Sequence, residues 1–275
     1  MRKLALGTAL TGALALAGLA APAASAAGAP DLKFSGVTVN NGKPVVVGAA
    51  KAVTVPVSYA LTRPKSLVID QEKNVQAVLL YRGTLRSVDN ALEPDVPPRC
   101  ATTATTETTV TESCTEKITA TPGDTLFDNA DATTWKAAGL FAHSDGSVSD
   151  DYLHNESDVT MWGGLASVEV RRAARLTVNA APEPAVKGRT LTVKGKLTRA
   201  AWETRTYAGY RGRKVVLQFK ADGGSYADVK SLTSGTGGAL STTVKATRSG
   251  TYRFVFAGTP TTGAKTSAGD HVTVR

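Results

Sequence analysis

The feature that most constrains this chain is a two-residue alternation of apolar and polar side chains, repeated in short runs separated by glycine turns. Lys214-Val-Val-Leu-Gln-Phe-Lys220 puts Val215, Leu217 and Phe219 on one face and Lys214, Val216, Gln218 and Lys220 on the other. Arg189 to Leu197 does the same with Leu191, Val193, Gly195 and Leu197, and Thr251 to Ala257 with Tyr252, Phe254 and Phe256. Ala239 to Lys245 follows a turn at Gly237-Gly238, and His271 to Arg275 reads as a last strand. A period of two is that of a half-buried strand. No window of this half keeps the 3.6-residue period of a helix over three turns. The 37 threonines of the 275 residues act in the same direction, because β-branched side chains fit a pleated surface. Short strands at even spacing predict an antiparallel sandwich.

The first half is looser but similar. Leu32, Phe34, Val37 and Val39 alternate, as do Val53, Val55 and Val57. Val75 to Tyr81 is almost continuously apolar, as a central strand would be, and Trp135 to His143 and Ala166 to Val170 add two more. Between the halves, Pro182 and Pro184 fall within three residues, and proline cannot donate to a ladder. The expected fold class is therefore all-β, with two sandwiches in tandem: residues 27–180, carrying a long insertion, and residues 181–275.

The order Pro184-Ala-Val-Lys-Gly-Arg-Thr-Leu-Thr-Val-Lys-Gly-Lys-Leu197, then Gly212-Arg-Lys-Val-Val-Leu-Gln-Phe219, then Gly237-Gly-Ala-Leu-Ser-Thr-Thr-Val244, then Gly250-Thr-Tyr-Arg-Phe-Val-Phe-Ala-Gly258 resembles bacterial immunoglobulin-like modules. These recur in secreted and surface proteins of Gram-positive, actinobacterial-type organisms. The resemblance covers about residues 181–275 and rests on strand and turn features, which specify a fold and hardly an activity. It brings no catalytic residue set. One departure is the insertion Thr198 to Arg213, which holds Trp202, Tyr207 and Tyr210.

Residues 1–26 read as a cleaved signal peptide. Arg2 and Lys3 precede an uncharged run from residue 4 to residue 20, and Ala24-Ser-Ala26 has the small-x-small form of a cleavage site. The competing reading, a membrane anchor, is disfavoured by the Ala/Gly dilution and by Pro22. The expected location is secreted, extracellular or at the cell envelope, with no membrane attachment after cleavage. Cys100 and Cys114 are the two cysteines, and an oxidising compartment makes a disulfide between them the expectation. If they face one another across antiparallel strands, the tip falls near Thr106 to Thr108. Seven threonines lie between them, so the loop is either a presented binding finger or a stapled extension of a sheet, the latter favoured.

Charge is uneven. Residues 27–176 carry 14 basic and 18 acidic side chains, a net of −4, whereas residues 177–275 carry 16 basic and 5 acidic, a net of +11. In the basic half Trp202, Arg205, Tyr207, Tyr210, Arg211 and Arg213 interleave aromatics with cations, a pattern able to stack on a sugar or hold a polyanion. Equally, those aromatics could pack over the end of the sandwich. A wall polymer or another extracellular protein is the expected partner, rather than nucleic acid. In the acidic half Asp145, Asp150, Asp151 and Asp158 gather with Glu156, and hard oxygen ligands in a loop suit Ca²⁺. The spacing is not that of an EF-hand, and a solvated loop is the plainer reading. No cofactor is called for, with Ca²⁺ the one exception considered.

No Gly-x-Ser-x-Gly elbow, His-Glu-x-x-His or phosphate loop is present, and His143, His154 and His271 are scattered. The expectation is a secreted non-catalytic interaction module whose basic C-terminal domain contacts an anionic surface. A Ca²⁺-dependent binding protein is the alternative, and a hydrolase with an unrecognised site the third.

Overall fold

A computed structural model describes residues 30–70, 73–143 and 159–275. The signal-peptide reading and the acidic loop with Asp145, Asp150, Asp151 and Asp158 lie outside the described residues.

Nine strands build the first sandwich: β1 Lys33–Val39, β2 Val45–Val47, β3 Val53–Pro64, β4 Asn74–Thr84, β5 Ser87–Leu92, β6 Arg99–Thr105, β7 Thr109–Ala120, β8 Thr134–His143 and β9 Val159–Arg172. One sheet has the order β1-β3-β7-β6 and the facing one β2-β9-β8-β4-β5. Lettered along the chain these are A-B-E-D and G-F-C-C′, with β2 added in parallel beside β9. That is immunoglobulin-like connectivity. The alternation predicted from sequence fills the space between the sheets: Val55, Val57, Tyr59 and Leu61 from β3 meet Val78 and Leu80 from β4 and Phe141 from β8. Trp135, fully buried, sends its Nε1–H to the Asp131 carbonyl oxygen at 2.8 Å and so pins the crossing from β7 to β8. Asp128 caps the short 3-10 turn Asn129–Asp131, its Oδ1 accepting from Ala130 N, while Asp131 accepts in return from Asp128 N and pairs with Arg82 at 3.2 Å.

The expected disulfide is present. Cys100 and Cys114 are directly opposed in the β6–β7 register, and the chain turns between Thr105 and Thr109. Thr106 Oγ1 closes that turn, accepting from Thr109 N at 2.9 Å. The bond lies within one sheet, and all seven residues of β6 are exposed. The threonine-rich segment is thus a stapled hairpin at a sheet edge.

The second sandwich contains β10 Ala174–Leu176, β11 Asn179–Ala181, β12 Thr190–Ala201, β13 Thr206–Gly209, β14 Lys214–Ala221, β15 Ala227–Thr233, β16 Ala239–Lys245, β17 Gly250–Phe256, β18 Lys265–Thr266 and β19 Asp270–Val272. β12 pairs with β10, β11, β13 and β16; the opposing sheet is β15-β14-β17, with β18 and β19 on β17. Leu191, Val193 and Leu197 pack against Val215, Leu217 and Phe254. Gly195 lies on the same apolar face because space demands it: a β-carbon there would run into the Thr177 carbonyl oxygen and the Phe254 ring. The chain crosses between sandwiches at Ala173, and β10 already pairs with β12, whereas the division expected near Ala180 falls within β11.

Candidate functional site

The insertion Thr198 to Arg213 folds as a hairpin. The last residues of β12 pair with β13 from Thr198↔Gly209 to Ala201↔Thr206, so the tip is Trp202 to Arg205. This tip leaves its own sandwich. Trp202 is fully buried among core residues of the first, and its Nε1–H donates to the Gly48 carbonyl oxygen at 3.0 Å. Asn129 secures the same corner, its Oδ1 accepting from Arg172 Nη1 at 2.6 Å and from Trp202 N at 3.3 Å. Arg205 Nε donates to the Pro122 carbonyl oxygen at 3.1 Å. Arg172 is itself buried at the crossing, and burial, then the nearby Arg199, push its guanidinium down to about 10.

These contacts decide what the six candidate binding residues are free to do. Trp202 has no exposed surface on which to stack a ligand. Tyr210 is buried beneath Arg199 and Arg213, whose guanidinium carbons sit 4.1 and 4.6 Å from its ring centre. Tyr207 is covered by Arg175 at 3.7 Å. Of the six, only Arg211 is both exposed and without a described contact. The aromatics therefore follow the packing alternative, with one addition: they pack against the other sandwich as well as their own. Sequence reasoning missed Gly48, Asn129 and Arg172, which lie 154, 73 and 30 residues from Trp202 and carry no local pattern.

Free cations occur elsewhere. On the outward face of β12, Lys194 and Lys196 are exposed, and Lys245 of β16 lies opposite Thr190. Alternate residues of a strand are about 6.7 Å apart, so these cations span about 20 Å of one sheet face. Neighbours in register are Thr192, Thr243 and Ser241, small and uncharged. Among the described residues none of the three lysines forms an ion pair. The opposite sheet differs, because Arg253 stacks on Tyr226 at 3.5 Å and bonds Gln218, which in turn bonds Asp228. Its charges are partly engaged internally.

One ionisable group is buried in the first core. Glu116 of β7 accepts at Oε1 from Val78 N (2.9 Å) and at Oε2 from the Tyr59 hydroxyl (3.3 Å). β5 pairs with β4 only from Leu80 onward, so the carboxyl takes a backbone N–H that the sheet edge leaves over. Burial pushes Glu116 up to about 8, against the pull of its two hydrogen bonds, and burial also raises the Tyr59 phenol. Glu116 lies on the core-facing alternation Cys114, Glu116, Ile118, Ala120, a signal the sequence does carry. Among the described residues no three His, Cys, Asp or Glu side chains converge to hold a metal ion. Nor is any helix there long and apolar enough to cross a membrane.

No protein-family model matches the chain, and no curated protein matches it. Solved structures do. The full ectodomain of mouse nectin-like molecule 4, Ig1–Ig3, is 13% identical, with 86% of this chain and 63% of that one covered and a TM-score of 0.24. The BSP domain of a biofilm associated protein is 9% identical, with 91% and 53% covered and a TM-score of 0.26. Dpr2 Ig1–Ig2 in complex with DIP-Theta Ig1–Ig3 is 13% identical, with 87% and 98% covered and a TM-score of 0.26. The chain thus spans less than two thirds of the first two.

Proposed function

We propose that this protein is released outside the cell and works as a non-catalytic interaction module, its basic second sandwich contacting an anionic surface such as a cell-wall polymer. The observation behind this reading is the row Lys194, Lys196 and Lys245 on one sheet face, exposed and without carboxylate partners among the described residues. An isolated surface charge contributes little to stability, so a face of like charges is better understood by what it attracts. Pelleting of the protein with purified cell walls across a salt series tests the idea. Binding should weaken steeply between about 50 mM and about 500 mM salt, because exposed charges are screened over that range. Retention that ignores salt would remove the electrostatic reading.

A further inference from the structure

The end of the second sandwich remote from the first has its own concavity. β12 runs about 40 Å from Trp202 back to its start at Thr190. There an open groove of ≈ 490 Å³ is lined by Pro182, Ala185, Val186, Arg189, Thr190 and Lys245. Ala185 is buried, while Val186 is 62% exposed, a large share for a valine beside two cations. The rim is rigid. Ala246 N donates to the Arg189 carbonyl oxygen at 2.9 Å, Gly188 N to Ala246 at 2.7 Å, and Lys187 N to Arg275 at 2.8 Å. Neither Arg189 nor Lys245 has an ion-pair partner among the described residues; the acidic residue nearest Arg189 in sequence is the exposed Glu183, which follows the groove-lining Pro182. From Lys245 the exposed lysines Lys194 and Lys196 continue along the sheet face.

We infer that this groove seats a phosphate group of a linear phosphodiester polymer, whose chain continues over Lys194 and Lys196. The inference rests on the proposed function above and gives it a site. Arginine presents a planar fork that matches phosphate or carboxylate, and lysine adds a point charge. Pro182, Ala185 and Val186 offer apolar contact to the carbon skeleton between charges. A carboxylate on an extended peptide fits less well. The backbone N–H groups of Ala185, Lys187, Gly188, Arg189 and Ala246 are already donated within the sandwich, so a peptide would leave its own backbone unpaired. A phosphodiester chain has no such groups to satisfy.

The test uses the intact two-sandwich protein and a short poly(glycerol phosphate), a linear phosphodiester with a carbon skeleton, with binding followed by calorimetry at several salt concentrations. Replacing Arg189 and Lys245 together by alanine should weaken binding about tenfold or more and reduce the salt slope by about two. Removing Lys214 and Lys230, exposed on the opposite sheet, removes the same charge and should cost less than about threefold. All four side chains are exposed, so unchanged melting temperatures are expected and report intact folding. Equal losses from the two double variants would overturn the groove and leave the proposed function standing. No binding of that oligomer at low salt would overturn the groove, and a loss of wall pelleting besides would overturn the proposed function as well. Polyglutamate binding as tightly as the glycerol-phosphate oligomer, with the same loss in the Arg189→Ala, Lys245→Ala variant, would overturn the choice of phosphate.

Discussion

Trp202 and Gly48, 154 residues apart, are joined by a 3.0 Å hydrogen bond from the indole nitrogen to the glycine carbonyl oxygen. The indole comes from the second sandwich and the carbonyl from the first. A large aromatic that is fully buried across a junction links the two units energetically. Truncation by Trp202→Ala should cost about 3–5 kcal/mol, the usual loss for a buried tryptophan. Two separate unfolding transitions should replace a joint one in denaturant titrations followed by circular dichroism. Trp202→Phe keeps the packing and leaves the Gly48 oxygen unpaired, so it should cost about 1–3 kcal/mol. A wild-type midpoint in both variants would show that the hairpin tip contributes nothing to the junction.

Glu116 makes stability depend on pH in an unusual direction for a carboxylate. Its folded value, about 8, lies above its ordinary 4.5, so between these values the folded protein keeps a proton that the unfolded chain releases. The contribution is complete below pH 4.5, is lost as pH rises towards 8, and is level above that. The slope can reach ~1.4 kcal/mol per pH unit. Melting temperature should therefore be higher at pH 5 than at pH 8.5, and Glu116→Gln should flatten the difference. A profile that is identical in the variant would assign the slope to other groups.

The disulfide closes a hairpin with little core of its own, since β6 is exposed along its whole length. Replacing both cysteines by serine should lower stability by about 3 kcal/mol, the chain-entropy value for a loop of this size. The hairpin should also become the first site of cleavage. Limited proteolysis with mass mapping checks this, and first cuts elsewhere in the double-serine variant would contradict it.

Gly238 has φ +79, and a β-carbon on it would strike the Leu197 carbonyl oxygen. Backbone of two elements meets there, so no side-chain movement relieves the clash. Gly238→Ala should destabilise by more than about 3 kcal/mol. Chemical denaturation of the variant measures it; a shift under about 0.5 kcal/mol would mean the strands yield easily.

Strands of the second sandwich were readable where one face carries an unbroken apolar alternation, whereas β2, β5 and the Cys114–Ala120 part of β7, each with a buried face, went unread. β12, β14 and β17 each show the two-residue period, and all three lie where it places them. β15 escaped because six of its seven residues are exposed, which leaves no apolar alternation to read. The hairpin tip near Thr106 to Thr108 followed from pairing the two cysteines, a local constraint. The clamp did not, because Trp202 meets Gly48 and Asn129, and Arg205 meets Pro122, only after both sandwiches have formed. Cations interleaved with aromatics suggested a binding surface at residues 202–213, yet a ring in polar sequence is equally suited to bridging two folded units. Exposure separates these uses, and exposure is a property of the assembled protein. Lys194 and Lys196 were legible as outward-facing from their alternation with Val193.

β2 lies parallel to β9, with Val45 beside Val170 and Val47 beside Arg172, and β9 leads straight into the second sandwich through Ala173. Tension entering near β2 and leaving through β9 would drag two neighbouring parallel strands past each other. Their hydrogen bonds would then bear the load together, as the threads of a lap joint do, instead of parting one at a time like a zip. An attached surface pulling on the second sandwich would act through that seam, with the Trp202 clamp resisting any change of angle at its foot.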